Sequence, residues 1–143
     1  MCPIRLLICA ALFALSPIAA DLNSIKAEPD LNRRAELAMA YAEQSLDDAG
    51  KAFKAGEIKS ADTRMEEVRT AVELACDSLR ATHRAPRNNK YYKRVELSMR
   101  TLLRHMDDLV HLAPVEDQEL PAVDKRVQEL HDQILTDIMS KRK

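Results

Sequence analysis

The chain has 143 residues and a mass of 16.2 kDa, enough for one domain and too little for a two-domain enzyme of ordinary size. Hydrophobic residues make up 46%, aromatic residues only 3%, and just two glycines occur. That composition fits a packed aliphatic protein of long helices and disfavours glycine-rich nucleotide loops and turn-dense β folds, while a formal charge of −1 gives the whole molecule no attraction for nucleic acid.

In chain order, the first element predicted is a leader. Arg5 supplies a positive side chain beside the amino terminus, Leu6 to Leu15 are uniformly apolar, and Ser16 and Pro17 break the run before Ile18, Ala19 and Ala20. This charged, apolar and small-residue order describes a secretory signal peptide over residues 1–20, cleaved after Ala20. The apolar run is too short for the roughly 20 residues a membrane-spanning helix needs, so the expected mature chain has no transmembrane segment and is exported to a periplasm or the medium. Cys2 and Cys9 leave with the leader. Cys76 is then the sole thiol and has no internal disulfide partner.

Residues 21–29 read as a short extension ending at Pro29, and residues 30–143 as the folded unit. Prolines 29, 86, 114 and 121 fall where helical patterns start or stop. Asp30 is placed to cap a helix over about 30–55, whose apolar face is Leu31, Ala35, Ala38, Ala42, Ser45, Ala49 and Phe53. Gly50 interrupts it at a cost of about 1 kcal/mol relative to Ala, and Gly56 suits its left-handed end. A second helix, about 58–83, carries Ile58, Ala61, Met65, Val68, Val72, Ala75 and Leu79. A third, about 90–113, carries Tyr92, Val95, Met99, Leu102, Met106, Leu109 and Ala113. The fourth, about 119–140, carries Leu120, Val123, Val127, Leu130 and Ile134, widened by Leu135 and Ile138.

Four amphipathic helices of matched length with short connections predict an all-α, up-down-up-down antiparallel four-helix bundle. The stretch from Ala52 to Ala61, AFKAGEIKSA, resembles the turn inside a tetratricopeptide hairpin, which makes two stacked hairpins the alternative layout. The long helices and the absence of a period near 34 residues favour the bundle.

Signatures of catalysis and of cofactor binding are missing: no glycine-flanked serine, no phosphate loop, no paired-cysteine metal motif and no Glu-x-x-His pair. The chain is therefore read as non-enzymatic and without a cofactor. Two weaker constellations set the cofactor alternative. Asp107 and Asp108 precede His111 by four and three residues, a spacing that places an acid and an imidazole on one helical face as a salt bridge or as two metal ligands. Met39 and His131 are the pair that axial haem ligation inside an exported bundle would use. Cys76 flanks the stripe of the second helix, half buried, where it serves as a small hydrophobe or as half of an intermolecular disulfide.

Charge is distributed unevenly. No acid occurs between Asp77 and Glu96, while Arg80, Arg84, Arg87, Lys90, Lys93 and Arg94 fall there with Tyr91 and Tyr92. An up-down order brings this connection to the end that also holds Lys141, Arg142 and Lys143, and sends Asp47, Asp48, Glu57, Asp107, Asp108, Glu116, Asp117 and Glu119 to the other. Cations suit the C-termini of helices, but Lys90, Lys93 and Arg94 start one and oppose its dipole. The sequence therefore reads as an exported interaction or structural module of the cell envelope. The alternative is a binding module that meets an anionic envelope component or an acidic protein through Arg80, Arg84, Arg87, Lys90, Tyr91, Lys93, Arg94 and the tail Lys141, Arg142 and Lys143.

Overall fold

The computed structural model describes residues 21–140. The expected leader, residues 1–20, and the tail Lys141, Arg142 and Lys143 lie outside the described residues. The helices are α1 (Leu22–Ala27), α2 (Leu31–Lys54), α3 (Ile58–Ala81), α4 (Lys90–Leu109) and α5 (Glu119–Met139), with a 3-10 turn at Pro86–Asn88. No strand occurs among the described residues, and the four long helices form a helical bundle.

Each terminus has a local cause. Asp30 Oδ1 accepts from the backbone N–H of Asn32 at 2.9 Å and of Arg33 at 3.2 Å, starting α2. Gly56 ends it at φ 73°, with its N–H donating to Phe53 O and the N–H of Glu57 donating to Ala52 O, a doubly bonded left-handed cap. Gly50 is explained by packing: a Cβ there would sit 3.0 Å from Leu109 Cδ2, so a missing side chain lets α2 and α4 approach. The third predicted helix stops at Leu109 and not near Ala113, because two acids, Asp107 and Asp108, crowd its negative end and Pro114 follows.

Residues 21–29 are more than an extension. Asp21 accepts from Ser24 N at 2.7 Å to cap α1, and Ile25 on that single turn and a half is 1% exposed. Six residues are too few to show a helical period in sequence, so Ile25 carried no signal there.

Helices α2 and α3 form the most extensive pairing, where Ala35, Ala38, Ala42 and Ala49 let the backbones come close to Ala61, Ala71 and Ala75. Around the bundle the order is α2, α3, α5, α4. Asn89 bonds Asn32, Arg94 bonds Glu36, and Leu109 lies against Gly50, so α4 runs alongside α2 in the same direction. Arg126 Nε reaches Glu73 at 2.9 Å and Arg80 reaches Gln133 at 2.9 Å, so α5 runs alongside α3 in the same way. Two hairpins thus lie side by side, and the connection 82–89 crosses the diagonal beneath the end of α5, against which its 3-10 turn packs. The core between them is one cluster whose fully covered side chains include Met65, Val68, Val72, Leu79, Met99, Leu102 and Ile134. No helix among the described residues is long and apolar enough to cross a membrane.

Candidate functional site

The diagonal crossing gathers the start of α2, the end of α3, the start of α4 and the end of α5 at one pole. His83, at φ 52°, turns the chain outward after α3 in a conformation that side chains other than glycine rarely take. Asn89 then launches α4. It is buried, its Oδ1 accepts from Tyr91 N at 3.0 Å, and its Nδ2 donates to Asn32 Oδ1 at 3.3 Å, tying the connection to α2. Nothing in the sequence marked Asn89 beyond its residue type, since its partner is 57 positions away.

Of the basic residues predicted here, two are used for structure. Arg80 Nε and Nη1 lie 3.8 Å from Asp137 and Asp77, joining α3 to α5. Arg94 holds Glu36 at 2.7 Å and its guanidinium stands 5.4 Å from the centre of the Tyr91 ring. The remaining four, Arg84, Arg87, Lys90 and Lys93, are exposed and pair with no carboxylate among the described residues. Lys90 Nζ stands 5.2 Å from the same Tyr91 ring, so a half-buried tyrosine lies between two cations while Tyr92, 2% exposed, is anchored in the core. The result is a pole of unpartnered positive charge with an aromatic face in it.

The opposite pole is acidic in a different manner from the one read in sequence. Asp48 is partly neutralised by Lys51 at 3.0 Å. The stronger feature is a crowd of carboxyls contributed by α3, α5 and the loop before α5. Burial and the neighbouring Asp117 carboxyl raise the Asp62 carboxyl above its ordinary value. Burial and the charges of Glu66 and Asp62 likewise raise Glu119, and burial and Asp107 raise Asp124. Each raised group binds its proton better folded than unfolded. Its stabilising contribution is therefore present below the ordinary carboxyl range and lost as pH rises through the folded value, so at neutral pH these three carboxylates cost stability. Asp62 and Glu66 are invisible as partners of Glu119 in the sequence, because only the side-by-side register of α3 and α5 brings them together, and Asp124 meets Asp107 only where α5 lies against α4.

The cofactor alternatives do not fit the residues present. His111 lies beyond the end of α4 and makes no ion pair with Asp107 or Asp108, and no group of three or more His, Cys, Asp or Glu side chains among the described residues is arranged to hold a metal. Met39 and His131 belong to α2 and α5, which face each other across the diagonal. His131 Nε2 donates instead to Glu96 Oε1 at 3.0 Å, and Arg100 holds the same oxygen. Burial pushes the Glu96 carboxyl up, but these hydrogen bonds and charges pull it down by more, leaving it below the ordinary glutamate range.

Cys76 is corrected from half buried to fully buried, at 0% exposure, and burial pushes its thiol up to about 12. A protonated thiol without exposed surface has no route to a second chain in this fold. Cys76→Ser should therefore lower stability by about 1–3 kcal/mol, the desolvation of a buried hydroxyl, read from urea unfolding. Non-reducing gels of wild type should show monomer, and a dimer lost in Cys76→Ser would restore the intermolecular disulfide.

What the fold and these two poles define is an all-α bundle with segregated surface charge. No family model, curated protein or solved structure matches the chain.

Proposed function

We infer that this chain is an exported, non-enzymatic interaction module of the cell envelope, an up-down-up-down bundle behind a cleaved leader, whose basic pole meets an anionic surface. The observation that carries the reading is that Arg84, Arg87, Lys90 and Lys93 stand together at one pole without carboxylate partners among the described residues. Two of them, Lys90 and Lys93, begin α4 against its dipole, a placement that folding alone does not favour. The alternation of helix directions supports the same reading, because it brings the end of α5, after which the sequence continues to Lys141, Arg142 and Lys143, to this pole. The chemistry is that of phosphate recognition: guanidinium and ammonium groups for lipid or glycolipid phosphates, and Tyr91 for the interfacial layer beside them.

The test uses the mature chain, with Asp21 as its first residue confirmed by mass spectrometry of exported material. It is expected to be retained on phosphatidylglycerol vesicles and not on phosphatidylcholine vesicles, and retention should weaken as salt rises, since exposed charges are screened beyond about 8–10 Å at physiological ionic strength. Changing Arg84, Arg87, Lys90 and Lys93 to Glu should abolish retention without loss of helical circular dichroism. Equal retention of wild type and this variant at low salt contradicts the reading.

A further inference from the structure

At the acidic pole the loop 110–118 leaves apolar side chains uncovered: Val115 is 99% exposed and Val110 is 59% exposed. Beneath them is a cleft of about 410 Å³ between α4, this loop and α5, floored by Met106, Leu120 and Pro121 and rimmed by Asp117 and Asp124. Asp124 and Asp107 make no ion pair among the described residues, and the half-buried Asp124 carboxyl lies within reach of the Asp107 charge. Asp117 accepts from the N–H of Leu120 at 3.1 Å, and neither it nor Asp124 pairs with a cation among the described residues, so an apolar floor with these carboxylates at its rim fits a ligand that is apolar at its tip and cationic on both flanks.

The opposite pole of the same molecule presents that shape. Ala85 is exposed and Pro86 half buried at the outermost turn of the connection 82–89, and Arg84 and Arg87 flank them without carboxylate partners among the described residues. With α2 alone 24 residues, about 36 Å, long, the two poles lie several screening lengths apart and do not satisfy each other within one molecule.

We propose that the acidic cleft seats the basic pole of a second copy of this chain, with Ala85 and Pro86 over the apolar floor and Arg84 and Arg87 against Asp117 and Asp124. Because the two surfaces differ, the contact is heterologous, and repetition of it builds open head-to-tail chains and not a closed dimer. The contact is small, so association is weak and salt-sensitive. This rests on the basic pole being an interaction surface, but its own signature lies at the acidic cleft.

Sedimentation of the mature chain at about 100 μM in low salt should give a weight-average mass above the monomer's that returns to the monomer value in high salt. Val115→Lys, at a side chain with no packing to lose, should leave the protein monomeric while retention on anionic vesicles persists. Cysteine trapping then reads the register, with the inert Cys76 left in place. A mixture of Ala85→Cys and Val115→Cys proteins should form the mixed disulfide faster than either protein cross-links to itself, and the preference should vanish in high salt. A monomeric mass at every salt concentration, or cross-links in statistical proportion, overturns the proposal. Loss of vesicle binding with the mixed cross-link intact would instead strike at the lipid reading alone.

Discussion

Leu102→Ala is expected to lower the unfolding free energy by about 2–5 kcal/mol, the range for truncating a covered core leucine. Leu102 is 0% exposed, and its stripe neighbours Val95, Met99 and Met106 are equally covered, so the removed methyl groups leave a void that packed helices do not close. The effect should show as a lower urea midpoint with an unchanged slope. Leu97, on the same helix but 47% exposed, supplies the comparison: Leu97→Ala should cost far less. A small loss at Leu102 would mean that α4 is not seated in the core as described.

Glu96 carries the second large effect. Glu96 is 4% exposed, and its carboxylate receives a hydrogen bond from His131 on α5 and is held by Arg100. Glu96→Ala removes the shared acceptor and leaves the buried His131 Nε2 unmet, while its Nδ1 makes no hydrogen bond among the described residues and has only Asp132 Oδ1 nearby, at 3.7 Å. The expected cost is about 3 kcal/mol, the lower part of the range for breaking a buried ionic contact, since Arg100 can turn to solvent. The pH dependence follows from the depressed carboxyl. The folded state binds this proton less readily than the unfolded chain, so the contribution is present above the unfolded value, near 4.3, and is lost as pH falls through the folded value. Glu96→Gln should lack that part of the acid-induced loss, and a variant unfolding in parallel with wild type from pH 6 to pH 3 would contradict the assignment.

These two residues mark what sequence could and could not reveal. Leu102 was legible because apolar spacing of three and four residues reports a helix face from local information alone, and the same holds for the stripes through Val68, Val72 and Val127. Glu96 and His131 are 35 residues apart and meet only when α4 and α5 align in opposite directions, so neither residue signals the other in the sequence. Cys76 was misjudged for a related reason. A stripe predicts one buried face, whereas α3 packs against both α2 and α5 and covers the flank as well. The basic run was visible as a run, but which of its members are free depended on Glu36, Asp77 and Asp137 being brought beside Arg94 and Arg80 by folding.

The claim on which the account rests is that position, and not net charge, makes the basic pole an interaction surface. It is tested by comparing two variants of equal formal charge on phosphatidylglycerol vesicles at low salt. In one, Arg84, Arg87, Lys90 and Lys93 are changed to Gln; in the other, the exposed residues Lys54, Lys59, Arg104 and Lys125, which make no ion pair among the described residues, are changed in the same way. The first variant is expected to lose most of its retention and the second to keep that of wild type. Equal retention of the two variants, whether both bind or neither does, would contradict it.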